Sequence, residues 1–182
     1  MSKSNRDRVS KIMDALKEGL APFVVREFAH AYGNHVLDEI NVALTSGVYG
    51  GLAATTVEAA VRELDAQGCL NLLSRRWEQV FKNKLGKSER GYVNILSDIR
   101  NEWAHQKLFT NDQAYEAADI ARRLLESIVA PKEAELPNEI AQELLRLRVE
   151  AEQKQAKKQT GSLDEAPTPT TPGLRPWRLV VK

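Results

Sequence analysis

Residues 9–28 read VSKIMDALKEGLAPFVVREF. Val9, Ile12, Met13, Leu16, Leu20, Phe23, Val24 and Phe28 recur at steps of three and four, the spacing that gathers apolar side chains on one face of a helix. Ser4 stands where a helix N-cap belongs, and Gly33 ends the run. Gly19 and Pro22 fall inside it. They predict a bend or a split near Leu20, with Pro22 tolerated in the first turn of a second piece.

The same period continues outward from this run. Thr55 or Thr56 opens a helix through Val57, Ala60, Val61 and Leu64, ending near Gly68. Leu70, Leu73, Trp77, Val80 and Phe81 form the next amphipathic stretch, stopping at Gly86. Ser88 is placed to cap a helix that carries Tyr92, Ile95, Leu96, Ile99 and Trp103 on one side. Thr110 with Gln113 makes a capping box for a helix on Tyr115, Ala118, Ala121, Leu124, Leu125 and Ile128, closed by Pro131. No useful alternating strand pattern precedes the last residues. The expectation is an all-α bundle of four to five helices over residues 1–130, an additional charged amphipathic helix over 131–159, and a disordered Pro/Thr-rich linker over 160–182. The narrow stripe Ile140, Leu144, Leu147 and Ala151 spans too few heptads for a coiled coil and reads as a solvated helix leaning on the bundle. The linker ends in Trp177, Leu179, Val180 and Val181, a stub suggesting the front end of a larger polypeptide.

Composition excludes several function classes. The net charge is +1, so any attraction to nucleic acid must be local. A single Cys, Cys69, excludes a disulfide framework and a multi-Cys zinc site, and its apolar context reads as a small buried residue. His30 and His35 lack a carboxylate or thiolate at ligand spacing. The uncharged run Ile40–Val57 is too polar and Gly-broken to span a bilayer. Leu85-Gly86-Lys87-Ser88 resembles the end of a phosphate-binding loop, but Phe81 stands where that loop needs Gly. No cofactor is expected, and the charged N-terminus lacks a signal peptide's apolar stretch, so a cytoplasmic protein with no membrane role is the default.

The informative stretch is Ser97-Asp98-Ile99-Arg100-Asn101-Glu102-Trp103-Ala104-His105-Gln106. On a helix, Tyr92, Ile95, Leu96, Ile99 and Trp103 fall within an arc of about 100° facing the core. Ser97, Arg100, Asn101 and His105 then take the opposite half. Asn101 and His105 are neighbours at i,i+4, whereas Arg100 and His105 lie about 140° apart around the axis. One ligand engages both only if the helix loosens or a second chain supplies half the site. The chemistry fits phosphodiester cleavage. Guanidinium binds phosphate and stabilises developing charge, imidazole moves a proton to or from a ribose 2′-hydroxyl or a leaving oxygen, and a neutral amide orients either one. Attack by a 2′-hydroxyl requires no metal.

Arg100-Asn101 followed three residues later by His105, late in a helical bundle, resembles the Arg-x4–6-His signature of the HEPN superfamily. Arg-Asn-Glu-Trp-Ala-His-Gln is most similar to one subgroup. It includes the HEPN domain beside a PIN nuclease in a fungal nuclear RNA-surveillance protein, and bacterial N-terminal HEPN domains fused to phage-defence-type ATPases. Asn5-Arg6-Asp7-Arg8-Val9, Gly19-Leu20-Ala21-Pro22-Phe23, and Trp77, Phe81, Leu85 and Gly86 also resemble that subgroup, and Gly173-Leu174-Arg175-Pro176-Trp177 resembles the approach to such an ATPase. The glycine-rich stretch between Gly33 and Thr55 departs from it.

The resemblance implies a bundle that homodimerises across the motif helix, and a metal-independent endoribonuclease of a defence or toxin-type system. Arg100 would hold the scissile phosphate, His105 would act on the 2′-hydroxyl or leaving group, and Asn101 would position them, with Arg and His drawn from both chains. The implied partners are a second copy, RNA, and an ATPase or other defence subunit. The alternatives are a non-catalytic dimerisation or RNA-binding module serving a C-terminal ATPase, and a nucleotide-binding or nucleotidyl-modifying relative. For an RNA path, Arg75, Arg76, Lys82, Lys84, Lys87 and Arg90 stand against only Glu78 and Glu89, a local excess of +4 just before the motif helix.

Overall fold

The computed structural model describes residues 4–46 and 50–161. The tail from residue 162 onward, with most of the expected linker and its apolar stub, lies outside the described residues, as does Gly47 in the glycine-rich segment; Thr160 and Gly161, the linker's first two residues, belong to a helix instead.

Seven α-helices and no strand occur among the described residues. They are α1 (Asn5–Tyr32), α2 (Val36–Thr45), α3 (Val57–Glu63), α4 (Ala66–Arg75), α5 (Lys87–Ala104), α6 (Asn111–Ser127) and α7 (Pro131–Gly161). A 3₁₀ turn, Gly33–His35, joins α1 to α2, and a π-helical turn, Trp77–Phe81, follows α4. None of these helices is long and apolar enough to cross a membrane.

Helix α1 is the axis of the bundle and packs against α2, α3, α4, α5 and α6. Its start is a capping box: Ser4 Oγ accepts from the Asp7 N–H while Asp7 accepts from the Ser4 N–H. The expected split near Leu20 does not occur; α1 is one helix of 28 residues. Pro22 lies on the exposed side, where water can satisfy the Glu18 carbonyl that loses its donor. Leu20, Ala21, Phe23, Val24 and Val25 are buried on either side of it and hold both halves in register. Gly19 serves packing rather than bending. A Cβ there would fall 2.3 Å from Leu125 Cδ2, so its absence lets α6 approach α1.

Three other boundaries differ from the sequence reading. Helix α3 ends at Glu63, and α4 begins at Ala66 with Asp65 accepting from the Gly68 N–H at 2.7 Å, so Gly68 lies in a first turn rather than at a terminus. Helix α5 begins at Lys87, not after Ser88, because Glu89 reaches back to the Gly86 N–H at 2.8 Å. Pro131 opens α7 instead of closing α6, a position where its missing N–H costs nothing. The end of α6 is made by Val129 at φ 60°, with its N–H on Glu126 O and the Ala130 N–H on Leu125 O.

The core is continuous from Val9 through Leu125 and includes Ala134, Ile140, Ala141 and Leu144 of α7. Phe23, Phe28 and Phe81 stack in its centre, Phe81 lying 5.9 Å from Phe23 and 6.0 Å from Phe28 between ring centroids. Buried Arg8 ties α1 to α7 through Glu143 at 2.8 Å. Cys69 is fully buried, and burial pushes its thiol far above the ordinary range. Residues 4–146 belong to this compact unit. The remainder of α7, 147–161, belongs to a second unit and is exposed at every position described from Leu147 to Lys158.

Candidate active site

The structure places the motif at the C-terminal end of α5, with Arg100 and Asn101 in the last helical turn and His105 as the residue just past it. The helix is regularly α-helical through Ala104, so it does not loosen, and the separation of about 140° between Arg100 and His105 stands.

The core-facing side of α5 is rotated from the expected one. Val93, Leu96 and Ile99 are buried, Tyr92 and Trp103 are half-buried, and Ile95 is 38% exposed. The buried face therefore shifts toward Val93 and Arg100. Arg100 is half-buried, not on the opposite half, and lines a cleft with Trp103 against Met13 and Asp14 of α1 and Ala66 and Gln67 of α4. Ser97 is likewise half-buried, its hydroxyl donating to Val93 O at 2.8 Å. Asn101 and His105 remain exposed. Among the described residues no carboxylate lies within ion-pair distance of the Arg100 guanidinium, although Asp14 and Asp65 line the same cleft.

The turn after α5 is held from both sides. Gln106 adopts φ 58°; its N–H donates to Trp103 O, and the Lys107 N–H donates to Glu102 O, both at 3.1 Å. This is a Schellman ending built on glutamine where glycine is the low-strain choice. Lys107 also pairs with Glu102. Buried Phe109 anchors the far side, while Leu108 between them is 84% exposed.

The opening of α1 clamps the same turn. Arg6 Nη1 donates to Trp103 O at 3.0 Å, and its guanidinium lies 5.5 Å from the Trp103 ring centre. Asn5 donates to Phe109 O at 3.0 Å and to Asn111 Oδ1 at 2.9 Å, and Arg8 in turn donates to Asn5 Oδ1 at 2.8 Å. Sequence reasoning missed the positioning roles of Asn5 and Arg6, because their acceptors lie about a hundred residues away. Changing Arg6→Ala should speed amide exchange at Gln106 and Lys107 by about tenfold, consistent with losing a hydrogen bond to a charged donor. Exchange at the buried Leu96 amide should stay the same; slowing or no change at Gln106 would show that Arg6 does not hold the turn.

The six cations of the expected RNA path are scattered over different tasks. Arg75 closes the C-terminus of α2, donating to Ala43 O at 2.6 Å, Leu44 O at 3.0 Å and Ser46 Oγ at 3.1 Å. Arg76 faces Glu39 at 3.4 Å, and Lys84 faces buried Glu27 at 3.7 Å. Lys82 and Arg90 share Glu78, at 2.8 and 3.2 Å, and Arg90 also covers buried Trp77. Hydrogen bonding from Lys82 leads the effects that hold the Glu78 carboxyl below its ordinary range. Lys87, at the start of α5, is the only one of the six with no such partner among the described residues. None of these six lines the cleft beside Arg100, and neither does His105.

His30 and His35 are exposed, and no cluster of three or more His, Cys, Asp or Glu able to hold a metal ion occurs among the described residues. Comparison with protein families gives a match over residues 11–129 to the family described as Swt1-like HEPN. Neither the curated proteins nor the solved structures give a match.

Proposed function

The chain belongs to the Swt1-like HEPN family, a kind of domain that includes ribonucleases, and from that premise we propose that it is a metal-independent endoribonuclease acting as a homodimer. The observation that carries the proposal is the unloosened end of α5. It presents an unpaired guanidinium at Arg100 on one side and exposed Asn101 and His105 on another, so one phosphodiester can meet both groups only if two chains contribute.

In this reading Arg100 of one chain binds the non-bridging oxygens of the scissile phosphate and stabilises charge as it builds. The partner's His105 takes the proton of the ribose 2′-hydroxyl or gives one to the leaving 5′-oxygen. The 2′-oxygen bonds to phosphorus, the bond to the 5′-oxygen breaks, and the products carry a 2′,3′-cyclic phosphate and a 5′-hydroxyl. Asn101 orients the reacting groups, and the cations near α5, with Lys87 the least committed, draw the backbone toward the site. The setting is a defence or toxin-type system in the cytoplasm, with an ATPase-like partner, as the resemblance of the tail suggests.

Incubating pure protein with total RNA and with DNA in excess EDTA tests this. RNA fragments ending in cyclic phosphate, with DNA untouched, are the expected result. A stable dimer that cuts nothing would support the non-catalytic binding module in its place.

A further inference from the structure

We propose that the cleft beside Arg100 reads one unpaired base of the RNA, a guanine on one of the two nucleotides joined by the scissile phosphate; the inference rests on the ribonuclease reading above. Two buried polar atoms carry it. Trp103 Nε1 and Gln67 Oε1 are shielded from solvent and have no hydrogen-bond partner among the described residues, and both residues line this cleft. A buried donor or acceptor left unmade costs about as much as a hydrogen bond gains, so each such atom calls for a partner. The Gln67 amide is held in place: its Nε2 donates to Asn71 Oδ1 at 2.9 Å, one turn along α4, which leaves Oε1 as the open acceptor. The Trp103 ring is held as well, with the Arg6 guanidinium 5.5 Å from its centre.

The size and polarity of the cleft suit a base. Its volume is about 130 Å³, well below the 300 Å³ or more of pockets that enclose a drug-sized ligand, so it takes a planar fragment and not a whole nucleotide. Met13, Ala66 and Trp103 give it apolar walls. Asp14 and Asp65 stand against Lys17 and Arg100, so the lining is balanced and selects no net charge. What it fits is a neutral group that both donates and accepts. Sequence-specific recognition of RNA works in this way, on single-stranded bases splayed out and hydrogen-bonded along their edges.

The pattern of donors and acceptors selects guanine. Trp103 Nε1–H is a donor, while Gln67 Oε1 and the carboxylate of exposed Asp14 are acceptors. Guanine presents O6 as an acceptor beside N1–H and N2–H as donors; adenine, cytosine and uracil each present a single donor group along the same edge. A base seated here does not use up Arg100, because base and phosphate are parts of one nucleotide. Arg100 and Lys17 carry long side chains that part by rotamer change, which admits the base while the guanidinium meets the phosphate at the mouth of the cleft.

Two measurements test the proposal, and the first needs no cleavage. A trinucleotide with guanine between two adenines, blocked by 2′-O-methyl groups, is titrated into the full chain beside its counterparts with adenine, cytosine or uracil at the centre. Nuclear magnetic resonance follows the indole N–H signals, that of Trp103 being assigned with Trp103→Phe protein. The guanine trinucleotide should bind about tenfold tighter than the other three, as recovered hydrogen bonds give, and the Trp103 indole signal should move downfield. Second, ends cut from a random-sequence RNA pool should show guanine enriched about tenfold beside the cut, and Gln67→Met should erase that enrichment. A purely structural role for Gln67 would slow cleavage of every sequence alike and keep it. Equal binding of the four trinucleotides, an unmoved Trp103 signal, cutting without guanine bias, or a bias untouched by Gln67→Met overturns the base reader while leaving the ribonuclease reading intact. Guanine-selective binding with no cutting of any RNA in chelator overturns the ribonuclease reading and leaves the base site standing.

Discussion

Replacing His105 with alanine should lower the rate of RNA cleavage by about 10²–10⁴-fold, the range that a positioned proton-transfer group supplies. The expectation comes from where the residue sits. His105 is exposed at the end of α5, and its backbone N–H, which donates to Asn101 O at 3.0 Å, is untouched by the change. The side chain is exposed, so the thermal midpoint should stay where it is and the loss should fall on the chemical step. RNA affinity, set mainly by phosphate contacts, should change little. Arg100→Ala should cost about 10²–10³-fold in rate and weaken RNA binding as well, because it removes a donor to the developing phosphorane. Wild-type cleavage in the His105→Ala protein would remove the imidazole from the mechanism.

The largest stability effect is expected at Phe81. Phe81→Ala should lower the unfolding free energy by about 3–5 kcal/mol, from lost transfer free energy and from the cavity left behind. The ring is fully buried, shares the core with Phe23 and Phe28, and belongs to the π-helical turn that carries the chain from α4 toward α5. Neighbouring side chains cannot collapse into the space without shifting α1, the helix on which the rest of the bundle packs. For a unit of this size the thermal midpoint should fall by roughly 10 °C, read by calorimetry or circular dichroism. A loss below about 1 kcal/mol in urea denaturation would mean that the aromatic cluster is looser than its packing implies.

The sequence disclosed what is local. The α6 capping box at Thr110 and Gln113, the Ser4 cap, the Gly33 stop and the helical period of α1 are encoded within a few residues of one another, and the structure has them all. The same is true of inward-facing Trp77 and Cys69. What depends on distant partners was not legible. The continuity of α1 through Pro22 depends on the proline facing solvent, and the small size of Gly19 answers Leu125, more than a hundred residues later. The arc of α5 could be centred on Ile95 or on Val93 by period alone; the packing of α1 and α4 selects Val93 and draws Arg100 into a cleft. The run from Arg75 to Arg90 looks strongly basic along the chain, but Glu39 of α2 and Glu27 of α1 come to face Arg76 and Lys84. The clamp of Asn5 and Arg6 on the motif turn is of the same long-range kind.

The central claim is that one phosphodiester is cleaved by groups from two chains, and subunit mixing tests it most directly. Arg100→Ala and His105→Ala proteins, each nearly inactive alone, should regain about a quarter of wild-type cleavage when mixed in equal amounts. Half of randomly paired dimers are then mixed, and each of these holds one intact pairing of arginine with histidine. Activity in the mixture no higher than that of the two separate variants, with subunit exchange verified by mass, would contradict a shared site.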